Sequence, residues 1–157
     1  MDLIPLPKET TALTGYTHKV VVDYADVAAL GASAAATLAI YPGTGTFPAG
    51  TVCDRVALNL VTAFDFSDAG ITSLLVEVGD AGSTARLCAQ TQIAVDGTEV
   101  LFFAQQTSYA YLVADTIDAV FTAANGGSPL LSECTSGKLE IYLGLHDLNN
   151  LEVISQP

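Results

Sequence analysis

Two histidines, His18 and His146, open the question of catalysis. A histidine acts as a general base only when an acid orients it and a reacting group lies within hydrogen-bond reach. No Ser, Cys or acid stands at a spacing from either histidine that selects a triad. Carboxylates are the second candidates. Asp65 and Asp68 flank Phe66-Ser67, Asp80 sits in a Gly-rich turn, and Asp96-Gly97-Thr98-Glu99 forms another acidic turn. Such oxygens suit calcium. None of these runs keeps the spacing of a twelve-residue calcium loop. Asp also builds turns by bonding its own backbone, and that is the reading taken for Asp65, Asp68 and Asp80, with calcium as the alternative. Glycoside cleavage needs two carboxyls facing across a cleft. Nothing singles out a pair, and Trp, the usual sugar platform, is absent.

Gly43-Thr44-Gly45-Thr46 is Gly-rich but lacks the Lys-Ser/Thr ending of a P-loop and precedes a strand rather than a helix. Phosphate cradling needs helix N-terminal amides, so these residues are read as a tight loop. Cys53, Cys88 and Cys134 form no CxxC and no Cys/His group with zinc spacing. They read as reduced, at least partly buried thiols, with one long-range disulfide left open. Tyr109 and Tyr111 share one strand face, while Phe102 and Phe103 point to opposite faces. Core packing accounts for them, with an interface role for tyrosine as the alternative. No catalytic, cofactor-binding or metal-binding residue is assigned, no cofactor is expected, and the chain is not expected to be an enzyme.

The elements that carry these residues alternate with period two. From Val52 to Phe64 one face reads Val52, Asp54, Val56, Leu58, Leu60, Thr62, Phe64. Near the end Leu139, Ile141, Leu143 and Leu145 alternate with Lys138, Glu140, Tyr142 and Gly144. This is the mark of half-buried strands. Further strand candidates are Thr17 to Tyr24, Ala36 to Tyr41, Thr72 to Val78, Ala85 to Gln90, Glu99 to Ala104, Tyr109 to Val113 and Ile117 to Ala123. Gly, Pro, Asn and Asp clusters separate them. The segment Ala25 to Ala36 reads either as a short helix capped by Asp26 and stopped at Gly31, or as a small-residue loop. Pro5 and Pro7 make Met1 to Thr10 an extended arm rather than a strand or helix. The predicted fold is therefore all-β: an antiparallel, jelly-roll-like β-sandwich of eight or nine strands over residues 17–157, with an extended N-terminal arm over residues 1–16.

At 157 residues the chain suits one domain that buries a core without disulfide or metal. Hydrophobic residues make up 50% and charged residues 14%, against a usual charged share of about 25%. Much of the surface must then be small and uncharged, and such surfaces tend to be covered by partners. The formal net charge is -12. That offers no basic footprint for nucleic acid and repels anionic membranes. Met1 to Thr10 lacks the basic start and apolar run of a signal peptide, and no apolar stretch is long enough to span a bilayer.

Four segments in order carry a resemblance: Val20-Val21-Val22-Asp23-Tyr24-Ala25-Asp26-Val27, then Pro48-Ala49-Gly50-Thr51-Val52, then Val61-Thr62-Ala63-Phe64-Asp65, then Val76-Glu77-Val78-Gly79-Asp80-Ala81-Gly82. This order resembles small virion structural proteins of tailed bacteriophages, of the capsid decoration, head-fibre or tail type. Val27 stands where that pattern has Leu. The resemblance covers about half the chain, and its motifs are turns and strand ends rather than chemistry. It implies a β-sandwich that assembles on a phage particle. The role expected first is a capsid decoration, or cement, protein on the outer head surface. Its partners would be the major capsid protein and copies of itself, as a homotrimer. It would be made in the bacterial cytoplasm and used in the virion. A tail or adaptor component is the alternative. From another class, a carbohydrate-binding module on a jelly-roll scaffold is kept.

Overall fold

A computed structural model of the chain describes residues 1–93, 102–126 and 128–150. Among these residues nine strands and two short helices run in the order β1 (Asp2–Pro5), α1 (Lys8–Thr14), β2 (His18–Asp23), α2 (Tyr24–Ala28), β3 (Ala35–Tyr41), β4 (Thr51–Phe66), β5 (Ser73–Asp80), β6 (Ser83–Ile93), β7 (Phe102–Ala110), β8 (Ile117–Ala124) and β9 (Cys134–Asp147). Single 3-10 turns, Leu131–Glu133 and Leu148–Asn150, flank β9. The strands form two antiparallel sheets, ordered β1-β2-β9-β4-β7 and β3-β8-β5-β6. This is the all-β sandwich that the alternating pattern requires. Among the described residues no helix is long and apolar enough to cross a membrane.

Inward side chains of the two sheets meet in one core. The first sheet gives Val20, Val22, Val56, Leu58, Leu60, Leu139, Ile141 and Leu143; the second gives Leu74, Val76, Val78, Ile117 and Phe121. Burying each such side chain is worth about 1.5–3 kcal/mol, which is why period two is held from Leu139 through Leu143 of β9. The alternation of β4 holds only in its middle. Register shifts fall between Cys53 and Arg55, and again beyond Leu60. Thr51 and Cys53 are therefore buried before the first shift and Val56, Leu58 and Leu60 after it, so the buried parity changes from odd to even. A bulge does this by setting two residues opposite one.

The N-terminal segment differs from the extended arm expected for it. Asp2–Pro5 pairs with β2 in the register Asp2↔Val21 to Pro5↔His18, and Leu3 packs against the core. An edge strand tolerates proline because only one of its sides is hydrogen-bonded. Leu6 N–H continues the pairing by donating to Thr17 O at 2.8 Å. After Pro7, Lys8–Thr14 forms a helix with Glu9 in its first turn, where an acid favours the dipole. It ends at Gly15, whose φ of 75° is left-handed.

The ambiguous segment after β2 is a helix, Tyr24–Ala28, but its cap is Asp23 rather than Asp26. Asp23 Oδ1 accepts from Ala25 N–H and Asp26 N–H at 2.9 and 3.2 Å, and Asp26 Oδ2 accepts from Asp23 N–H at 3.0 Å. This reciprocal capping box explains the Asp-Tyr-Ala-Asp run. It also swings fully buried Val27 onto the core. The two strands expected at Glu99 to Ala104 and Tyr109 to Val113 are one, β7, which stops at Ala110. Residues 94–101, with the Asp96-Glu99 turn, lie outside the described residues.

Candidate functional site

Two regions gather polar and aromatic side chains. The first is the outer face of the five-stranded sheet, where α1 ends. The bulge at Cys53/Arg55 lets the consecutive residues Asp54 and Arg55 meet side by side, which a regular strand forbids. Arg55 Nε and Nη2 each donate to an oxygen of Asp54 at 3.0 Å, and Nη1 donates to Thr14 O at 3.0 Å, closing the C-terminal end of α1. His146 Nε2 lies 3.3 Å from Asp54 Oδ2. Opposite Arg55 stands Gly144, where a Cβ would collide with the Asp54 carboxylate and the Arg55 stem. Burial pushes the Asp54 pKa up, but Arg55 and His146 outweigh it and hold the group below the usual carboxylate range.

Beside it, Glu140 accepts from Lys19 Nζ at 2.9 Å, Asn59 Nδ2 at 3.1 Å and Tyr142 Oη at 2.7 Å. Burial raises its pKa, and the donors Tyr142, Lys19 and Asn59 bring it below normal. Thr14, Tyr16, Asn59 and Tyr142 line an open cavity of about 250 Å³. Its two tyrosine rings are tilted, 5.8 Å apart. Both acids here are ionised and already engaged by donors. Asp54, through Arg55, ties α1 to the sheet, and Glu140 links β2, β4 and β9; neither stands ready to move a proton.

The second region is the end of the sandwich where β4 begins. Rings stack edge to face from Tyr109 to Tyr111 at 4.8 Å and from Tyr111 to Phe47 at 4.7 Å. Tyr41 and His18 extend the series at 5.8 and 5.1 Å. Arg86 lies 4.1 Å over the Tyr109 ring and also binds Asp80. Burial, then the Asp80 charge, pushes the Tyr111 phenol far above its ordinary range, and burial lowers the His18 pKa.

His18 and His146 thus have separate roles, one against Tyr41 and the other on Asp54. The acidic turns are turns in the hydrogen-bonding sense. Asp65 Oδ1 accepts from Phe66 N–H, Asp68 Oδ1 from Gly70 N–H, and Asp80 Oδ1 from Gly82 and Ser83 N–H. Among the described residues no three His, Cys, Asp or Glu side chains are placed to hold a metal. Gly43 and Gly45, with φ of 88° and 70°, shape the exposed loop leading to β4. Cys53, Cys88 and Cys134 are free and buried. Burial pushes the Cys53 thiol up to about 12 and the Cys134 thiol up to about 11, and raises Cys88.

Two features escape the sequence pattern. The Asp54-Arg55-His146 group depends on a bulge, and adjacent Asp and Arg in a strand were the only hint of it. The other is Leu112-Val113, assigned above to a strand. These residues lie beyond β7 and are 87% and 68% exposed. Two consecutive large apolar residues just before Ala114-Asp115 break the alternation, and that break is the signal.

No protein-family model and no curated protein matches the chain. Among solved structures it is similar to a chain of the cyanophage Pam1 capsid asymmetric unit. The two are 19% identical over 80% of this chain and 79% of that one, with a TM-score of 0.49.

Proposed function

We propose that the chain is a structural protein of a tailed-bacteriophage virion, acting by binding alone, as a decoration protein on the outer surface of the head. The observation that carries this reading is the ordered set of segments from Val20 to Gly82. Each is a device of construction. The first builds the Asp23 capping box, the second leads the pinned loop into β4, the third ends in the Asp65 turn, and the fourth closes on Asp80. The resemblance to virion proteins thus lies in scaffold, in keeping with acids that serve structure. The order β2-β9-β4-β7 facing β3-β8-β5-β6 supports a jelly-roll-like scaffold, with β1 added at one edge. A surface poor in charge supports burial against neighbours, and a closed ring of three copies is the assembly that suits a head lattice. Many copies would stabilise the shell by spanning subunit joints, with synthesis in the host cytoplasm.

Cryo-electron microscopy of the particle tests this. Density for the sandwich is expected on the outside of the head, at local three-folds or hexamer centres. Density at the tail or collar instead would move the protein to the tail or adaptor role, and a virion without copies would end both. Light scattering that finds a stable monomer would remove the trimer. The Tyr16-Tyr142 cavity favours one further reading, a carbohydrate-binding module, since tyrosine faces can carry sugar rings. A glycan array showing binding that Tyr142→Ala abolishes would support it.

A further inference from the structure

Leu112 and Val113 are the most exposed pair of adjacent large apolar residues among those described. Scattered exposed aliphatics need no explanation, but these two are held out on a frame. On their N-terminal side Tyr111 N–H donates to Thr51 O at 2.9 Å and Tyr111 O accepts from Gly50 N–H at 2.8 Å. On the other side Asp115 and Phe47 exchange both backbone bonds, at 2.9 and 3.3 Å. The loop they grip is fixed from its far side too, because Leu148 N–H donates to Gly50 O at 3.0 Å and Asn149 Nδ2 to Ala49 O at 2.6 Å. Below lies the ring series Tyr109, Tyr111, Phe47. The tip therefore pays little ordering entropy on binding, which is how aliphatic anchors at interfaces gain affinity. Exposed Pro48, Ala49, Ala114 and Leu148 widen the apolar patch.

The charge around the tip identifies the occupant. At this end Asp115 and Asp147 present partly exposed carboxylates, while Asp80 and Asp118 are buried and the guanidinium of Arg86 is bound to Asp80. A second copy of the chain makes a poor partner. Three of its five cations, Lys19, Arg55 and Arg86, are held in ion pairs within the chain. We propose that the Leu112-Val113 tip is the anchor by which this protein inserts into an apolar pocket rimmed by lysine or arginine on a different protein. The inference rests on the virion reading and deepens it: the pocket belongs to the head shell.

The experiment uses heads purified from a strain of the phage that lacks the chain, with purified wild type, L112S/V113S and a V61S control added back. Val61 is exposed on β4, outside the tip. Bound copies are counted after sedimentation, and thermal melts check that all three proteins are folded. The tip predicts binding about tenfold or more weaker for L112S/V113S, wild-type strength for V61S, and wild-type binding that falls as salt rises. Equal binding of wild type and L112S/V113S would overturn the tip while leaving the virion role standing. Wild type that binds no heads would overturn the head-decoration role itself, and the tip as an anchor on the head with it. If L112S/V113S binds heads normally but loses self-association, the partner is a second copy and the basic pocket is wrong.

Discussion

Replacing Asp80 by Ala tests whether the acidic turns are structural. Asp80 is 2% exposed. Its Oδ1 accepts from Gly82 N–H and Ser83 N–H, both at 2.9 Å, and its other oxygen binds Arg86. Each backbone bond lost is worth about 0.5–1.5 kcal/mol, so D80A should cost about 2 kcal/mol from the turn alone. D80N keeps an oxygen for the two amides and should cost clearly less. Urea unfolding reads both as a fall in midpoint at unchanged slope, by about 1 M for D80A if the slope is near 2 kcal/mol/M. Calcium should leave the wild-type midpoint where it is, because the carboxylate already has protein donors on both oxygens. A D80A cost below about 0.5 kcal/mol would refute the turn argument, as would equal losses for D80A and D80N. A midpoint that rises with calcium would refute the assignment of this acid to structure.

Asp23→Ala removes the α2 cap and should cost about 1 kcal/mol in the same urea assay, and Asp26→Ala, which loses the bond from Asp23 N–H and the pair with the Met1 ammonium, should also destabilise. Two acids should give opposite pH signatures. Asp118 has its pKa raised by burial, so the folded state prefers it protonated. Asp118→Asn should raise the melting temperature at neutral pH, with the gain fading as pH falls towards the ordinary Asp range. Glu140 has a lowered pKa, so its stabilisation is present above the usual Glu pKa and lost as pH falls through the folded value. Glu140→Gln should destabilise at neutral pH and become neutral in acid. All three thiols should resist a thiol reagent at pH 8 while the chain is folded and react together on unfolding, since burial raises every one; rapid labelling of one cysteine in the native protein would contradict this.

The strands were legible wherever one face meets the core without interruption. Leu139, Ile141 and Leu143 announce β9, and Val56, Leu58 and Leu60 the middle of β4. The start of β4 was not, because the bulge at Cys53/Arg55 changes which parity is buried, and a bulge leaves no mark in hydrophobicity. Strand β1 was hidden by Pro5 and Pro7, residues that argue against a strand unless it lies at an edge, and edge position is a property of the finished sheet. The helix after β2 could be seen, but not its start, since Asp23 and Asp26 are both good caps and only the reciprocal bonds decide between them. Asp65, Asp68 and Asp80 were readable as turn formers because their bonds are local. The Asp54-His146 pair and the frame around Leu112 were not, because they join segments far apart in the chain.

The position of β9 between β2 and β4 has a consequence for how the protein is made. Strands β2 and β4 never pair with each other; besides β1 on the outer side of β2 and β7 on the outer side of β4, each has its neighbour in Cys134–Asp147. On the ribosome, at roughly 5–20 residues per second, β4 is finished seconds before that neighbour exists. The central pairing of the five-stranded sheet is thus a late, non-local event, and such pairings fold slowly. Until then the edges of β2 and β4 that β9 will fill are open to wrong partners. The Asp23 box and the Asp80 turn need no distant strand, and can set their segments while the chain waits.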